Sequence, residues 1–280
     1  MTIHANVKNL GRRTGYRLKR LKEKLSGDVE RPRVIFIHTP KTGGMSVNSY
    51  FKEHVGSKRS GRVVRYDDFG SHELEAFLTR AREAKFVTGH MPWEAFVQCR
   101  DDNTFGFAIL RDPYERLRSL YHFTVNLPPS YERAAEVNDM QRMSLREFLS
   151  SKDKRVRFHT DNYLARQFSG SIGTLAGSPD ERRRLAERAI ENLSSLDLVG
   201  FNDDLDAAFA EAARAAGLPP PPPGRRLNVT ANLASAARRA DAVKALDEEM
   251  RALAAPLVGA DMMVYQHFMG LREATATKSA

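Results

Sequence analysis

Across 280 residues there is a single cysteine, Cys99. One thiol builds neither an internal disulfide framework nor a thiolate-rich metal site, and such scarcity suits a reducing compartment. Nothing pairs Cys99 with a histidine as a nucleophile, so a plain structural cysteine is the expectation. No apolar run approaches the ~20 residues that a membrane-spanning helix needs, and the first residues lack the apolar core of a signal peptide. The expected location is therefore cytoplasmic. The histidines show no metal-ligand spacing, so no metal site is expected. Charge of one sign is also scarce through most of the chain. The formal net charge is +9, yet residues 1–24 hold eight basic side chains, from Lys8 to Lys24, against one acidic, Glu23, a net of +7. The remainder holds 36 basic and 34 acidic residues, or +2.

The high charge thus belongs to an arm, and the body is nearly balanced. Leu18, Leu21 and Leu25 recur at helical spacing among the cations, which fits a short basic amphipathic helix on an anionic membrane surface or a polyanion. A solvated tail is the plainer reading. A nucleic-acid-binding protein is a runner-up of a different class, but the arm has one aromatic residue, Tyr16, and no recognisable nucleic-acid motif, so no nucleic acid is expected as a partner.

The body is organised around Val34-Ile35-Phe36-Ile37-His38-Thr39-Pro40-Lys41-Thr42-Gly43-Gly44-Met45-Ser46. Val34 to Ile37 reads as a buried strand of a parallel sheet. Pro40 and the two glycines end it, and a helix follows. Strand, glycine loop and helix N-terminus together form an anion cradle, with Lys41 as a mobile point charge and Thr42 and Ser46 as hydroxyl donors. A nucleotide triphosphatase loop, G-x-x-x-x-G-K-[ST], is the obvious rival. Here the lysine precedes the glycines and the first glycine is absent, so the register is wrong for that motif.

Three more strands are predicted, at Lys85–His90, Phe105–Leu110 and Leu196–Phe201. Ser71 is a candidate cap for a helix ending at Glu83. Asp112-Pro113-Tyr114-Glu115, Ser144-Leu145-Arg146-Glu147 and Ser178-Pro179-Asp180-Glu181 read as capping boxes. A helix from Asp204 to Ala216 should close at Gly217. The five prolines from Pro219 to Pro223 form a stiff surface connector or a domain boundary. A last helix is expected from about Ser235 to Leu253. Strands alternating with helices predict an α/β protein, with a P-loop-like parallel β-sheet flanked by helices on both faces and ligands at the carboxyl ends of its strands. That rule gathers the Lys41 loop, His90 and Arg111 at one edge.

Two of these segments carry a family resemblance. Pro-Lys-Thr-Gly-Gly-x-Ser after a hydrophobic strand resembles the 5′-phosphosulfate loop of sulfotransferases that use 3′-phosphoadenosine 5′-phosphosulfate (PAPS). Arg111-Asp-Pro-Tyr-Glu-Arg-Leu-Arg-Ser119 resembles the same family's 3′-phosphate motif. Thr88-Gly89-His90-Met91-Pro92 and Asp161 to Gly170 are similar to segments of the carbohydrate-type branch, related to heparan sulfate 2-O-sulfotransferases. Leu198–Phe201 and Leu227-Asn228-Val229-Thr230 fit more loosely, and Met45 stands where the family often has Thr or Ser. The resemblance covers roughly residues 31 to 232, with the arm outside it, and the expected division is a basic arm over 1–30, a sulfotransferase domain over 31–272 and a tail over 273–280. It implies donor binding by Lys41, Thr42, Gly43, Gly44, Ser46, Arg111 and Ser119, and acceptor contacts at Asn162 and Arg166. His90 would be the general base and Lys41 would offset charge on the leaving phosphate. PAPS would be the donor, adenosine 3′,5′-bisphosphate (PAP) the product, with no metal, and the acceptor a hydroxyl of a polysaccharide or glycolipid. The alternatives are a nucleotide-dependent kinase, or a non-enzymatic protein that binds polyanions through its arm.

Overall fold

The computed structural model describes residues 32–56, 62–70, 72–127, 138–224 and 246–279. The strands are β1 (Arg33–Ile37), β2 (Val63–Arg65), β3 (Phe86–Gly89), β4 (Thr104–Leu110) and β5 (Leu198–Phe201). All neighbours pair in parallel, in the order β2-β3-β1-β4-β5. Eleven α-helices accompany them among the described residues. They are α1 (Gly44–Val55), α2 (Leu74–Glu83), α3 (Trp93–Cys99), α4 (Pro113–Val125), α5 (Asn138–Gln141), α6 (Leu145–Ser150), α7 (Lys154–Thr160), α8 (Tyr163–Ser169), α9 (Pro179–Leu193), α10 (Leu205–Ala215) and α11 (Glu248–Ser279).

The unbroken apolar strands are explained by burial on both faces. Val34 and Phe36 point with Phe86, Phe105, Phe107 and Ile109 toward α1 and α10. Ile35 and Ile37 point the other way with Val87, Ala108 and Leu110, where α2, α3, α8, α9 and α11 pack. Phe36 stacks on Phe107 with ring centroids 4.6 Å apart, and truncating either should cost about 3–5 kcal/mol. The lower end of the sheet is tied by Arg33, whose guanidinium donates to the Ala81 carbonyl (2.8 Å) and the Cys99 carbonyl (2.6 Å). It thereby caps the ends of α2 and α3 with a cation where their dipoles are negative. Cys99 itself is buried, and burial pushes its thiol up to about 11.

The path of the chain decides where a ligand can sit. From β1 the chain crosses to the β2 edge under α1, on one face of the sheet. Every later crossover runs the opposite way, and α2, α3, α8 and α9, the crossover helices that pack on the sheet there, lie on the other face. Crossovers of constant hand require that exchange of faces when the direction reverses. β1 is therefore the turning point of the sheet, and the crevice beside its carboxyl end is the natural ligand position.

Helix boundaries follow local chemistry. The boxes at Ser144 and Ser178 close with both reciprocal bonds. At Asp112 only half forms: its carboxylate accepts from the Glu115 N–H at 3.0 Å, but the Glu115 side chain turns to Arg118 and Arg111 instead of back to the cap. α10 ends as expected before Gly217, which has φ 63°. Pro219 to Pro223 lie at the surface, and the Tyr50 hydroxyl donates to the Pro219 carbonyl.

Three expectations need correction or placing. α2 starts at Leu74 with Glu73 at its cap, and Ser71 lies outside the described residues. α11 runs from Glu248 to Ser279, far beyond Leu253, because Ala254, Leu257, Val258, Val264 and Phe268 extend its buried stripe. Residues 273–279 are thus the end of a helix. The arm, the segment from Leu227 to Thr230 and the start expected at Ser235 lie outside the described residues. Among the described residues no helix is long and apolar enough to cross a membrane.

Candidate functional site

Read across the sheet at the carboxyl ends, β2 is followed by Asp67, β3 by His90, β1 by the Lys41 loop and β4 by Arg111. Four strands thus deliver four charged or titratable residues to one edge.

The loop after β1 is tightly made. The Thr42 hydroxyl donates to the Thr39 carbonyl at 2.8 Å, and the Ser46 N–H donates to the Gly43 carbonyl at 3.1 Å. Thr42 and Ser46 are both buried. Gly43 has φ 92°, a left-handed conformation that favours glycine. At Gly44 the reason for glycine is different. A Cβ there would stand 2.1 Å from Nε2 of His38, so the imidazole occupies the space a side chain would need. The glycine pair therefore serves internal close packing as well as any close approach of a ligand.

Lys41 carries φ 73°, unusual for a residue with a Cβ. Its carbonyl accepts from Nη1 of Arg111 at 3.0 Å, and its ammonium lies 3.9 Å from the centroid of the Phe123 ring. Among the described residues no carboxylate pairs with that ammonium. Burial, and then the nearby Arg111 guanidinium, bring the Lys41 ammonium down to about 8. Arg111, 24% exposed, has Glu115 3.8 Å away, and that carboxylate is shared with Arg118. Burial lowers Arg111 too. Ser119 is half-buried on α4, one turn after Glu115 and one turn before Phe123. Residues four apart share a helix face, so Ser119 lies on the stripe that Arg111 and Lys41 touch at its two ends. Lys41, depressed by burial and by Arg111, and Arg111, which shares its one carboxylate with Arg118, make a site short of negative charge.

On the other side of β1, one oxygen of Asp67 accepts both the His90 backbone N–H (3.0 Å) and its ring Nδ1 (2.9 Å). Arg65 reaches the other carboxylate oxygen at 3.3 Å. Burial pushes the Asp67 carboxyl up, but the His90 hydrogen bonds, with Arg65 behind them, outweigh it and hold the group well below the usual carboxylate range. With Nδ1–H assigned as the donor to Asp67 from this pattern, Nε2 of His90 is left as the basic nitrogen. His90 is 37% exposed at its side chain, open to a second molecule. His38 lies behind it, ring centroids 4.8 Å apart, and stacks on Phe36. Burial, reinforced by His90, keeps His38 far below its ordinary value and therefore neutral. Among the described residues its Nε2 has no hydrogen-bond partner.

The structure does not bring Asn162 and Arg166 to this edge. Both are fully buried. The Asn162 side chain donates to the Pro256 carbonyl (3.2 Å) and accepts from the Ala260 N–H (2.7 Å), which locks α8 to α11. Arg166 donates to the carbonyls of Phe158 (2.9 Å), Asp161 (2.8 Å) and Ile172. The next residue is the one that reaches the site. Gln167 donates to the carbonyls of His38 (3.2 Å) and Met91 (3.0 Å) and accepts from the Thr39 hydroxyl (2.7 Å), bracing both loops beside the crevice. Asp67 and Gln167 are the functional candidates that sequence reasoning missed. Asp67 follows a three-residue strand with no periodic signal. Gln167 sits inside the Asp161–Gly170 segment already singled out, and its place between two buried helix residues was its only mark.

No family model matches the chain, and no curated protein matches it. Among the described residues, no three His, Cys, Asp or Glu side chains form a group able to hold a metal ion.

Proposed function

We propose that this chain is a sulfotransferase that moves the sulfuryl group of PAPS to a hydroxyl of a carbohydrate, either a polysaccharide or a glycolipid. The observation that carries the reading is the meeting of Lys41 and Arg111 across the β1–β4 crevice, joined at 3.0 Å, with the Asp67-held imidazole of His90 on the far side of β1. The loop is P-loop-like in build, a strand leading through two glycines into a helix, but its cation lies before the glycines. The residues fit a nucleotide that is anionic at both ends. Lys41, the backbone of Gly43 and Gly44, and the Ser46 hydroxyl would hold the 5′-phosphosulfate, while Thr42, whose hydroxyl is given to the Thr39 carbonyl, shapes the loop rather than donating to the ligand. Arg111 and Ser119 would hold the 3′-phosphate, where a guanidinium grips two oxygens at once.

When bound, the donor supplies a sulfuryl group on a phosphosulfate anhydride. The protein's own part is positioning and charge. His90 takes the acceptor hydroxyl proton at Nε2, while Asp67 holds Nδ1–H, fixes the ring and stabilises the imidazolium that results. The Lys41 ammonium would offset the negative charge that grows on the leaving phosphate. His38, neutral and packed behind His90, adds no positive charge beside the forming imidazolium. Gln167 keeps the loops after β1 and β3 at a fixed separation, and so sets the distance between base and donor.

The test is transfer itself. The protein is incubated with PAPS and a panel of neutral and anionic oligosaccharides and glycolipids, and products are read by mass. A sulfated product that disappears with His90→Ala is the expected result. Phosphorylated products from ATP and magnesium, with PAPS inert, would overturn the proposal in favour of a kinase.

A further inference from the structure

Among the described residues only Lys41 and Asn162 combine a side chain with positive φ. Asparagine tolerates that conformation and lysine does not. Unusual backbone persists where the surroundings enforce it. At Lys41 the visible restraints come from one unit. Arg111 at the end of β4 holds the carbonyl at 3.0 Å, and Phe123 on α4 lies 3.9 Å from the ammonium. The residue that opens the 5′ subsite is therefore gripped at both its backbone and its side chain by the element that carries the 3′ subsite.

We infer that Arg111 couples the two ends of the nucleotide site, by holding Lys41 in its left-handed conformation while also binding the 3′-phosphate. This deepens the donor-binding reading above and rests on it. A guanidinium can do both at once, because it has five N–H donors in a rigid fork and one Nη on a carbonyl leaves the others for an anion. The consequence concerns specificity. A nucleotide with no 3′-phosphate still depends on Arg111, because its 5′-phosphate meets a loop whose shape Arg111 sets.

The experiment is a cycle of four proteins: the natural chain, Arg111→Ala, Lys41→Gly and the double variant. Each is titrated with adenosine 5′-monophosphate and with PAP, and each is melted without ligand. Glycine adopts positive φ unaided, so Lys41→Gly removes the need for the restraint. Arg111→Ala should weaken adenosine 5′-monophosphate about fivefold, the worth of a left-handed penalty of roughly one kcal/mol. In the Lys41→Gly background that loss should vanish, while PAP still weakens. Without ligand, Arg111→Ala should lower the melting temperature less in the Lys41→Gly background than in the natural one. Two results would overturn the inference: an unchanged affinity of Arg111→Ala for adenosine 5′-monophosphate, or an equal loss in both backgrounds, which would mean simple charge attraction. Strictly additive melting shifts would overturn it even if neither nucleotide bound. Equal affinity of the natural chain for the two nucleotides would instead sink the donor reading, and the melting cycle would still decide the coupling.

Discussion

Arg111 and Arg116 stand five residues apart, yet the fold uses them in opposite ways. Arg116 is buried, with both Nη atoms directed at the His159 carbonyl (3.4 and 3.3 Å) and Asp261 3.9 Å away. Arg166 beside it gives both Nη atoms to backbone carbonyls. Arg111, at the mouth of the same helix, gives one nitrogen to the Lys41 carbonyl and keeps part of its surface in solvent. Interior guanidiniums here act as multi-toothed hydrogen-bond donors that pin helices together. The mouth pair Lys41 and Arg111 has cationic charge to spare. An arginine-rich stretch therefore says little until the environment of each guanidinium is known.

The sharpest way to separate chemistry from architecture is His90→Ala. It should lower turnover by about 10²–10⁴-fold, the usual worth of a positioned general base, while PAP binding stays near that of the natural chain. Steady-state rates beside calorimetry would check this, and normal turnover would remove His90 from the site. Arg116→Ala should act on the fold instead, costing about 3–5 kcal/mol because buried Asp261 loses the stronger of the two cations that act on it, Arg166 being the other. Chemical denaturation reads that loss, and the preference of the folded fraction for PAP over other nucleotides should not move. Arg111→Ala should reverse the pattern. Its melting temperature should fall less than that of Arg116→Ala, and PAP affinity should drop by about 1.5–3 kcal/mol.

Much of this arrangement was legible in the residues, for physical reasons. β1, β3, β4 and β5 are short, apolar and bounded by turn formers, and both faces of the sheet are covered, so their signal is strong. The crevice residues Lys41, His90 and Arg111 follow from the rule that ligands meet the carboxyl ends of parallel strands. β2, with three residues, offered no pattern, and Asp67 was lost with it. The length of α11 was also missed, because its buried stripe crosses Pro256 inside the helix. Asn162 and Arg166 lie in a segment singled out by its resemblance, but polar residues in a buried helix contact point inward to carbonyls, and only tertiary packing reveals it.

A smaller effect concerns pH. Lys41 sits at about 8 without ligand, and an anion beside it favours the ammonium. PAP affinity should therefore be fully present below about pH 8 and weaken as pH rises through it, by at most about tenfold per unit. Binding above that pH should take up a proton, which calorimetry in buffers of different ionisation enthalpy would detect. Lys41→Met should bind more weakly at neutral pH and lose this dependence.

The central claim, that the crevice is built for a nucleotide carrying phosphates at both 3′ and 5′ positions, is met most directly by melting the full chain with PAP, adenosine 5′-monophosphate, and ATP with magnesium at equal concentration. Ligand linkage converts affinity into a shift of the melting temperature. PAP should raise it well above the other two, and Arg111→Ala should abolish that advantage. A shift from ATP with magnesium equal to or larger than that from PAP would contradict the account.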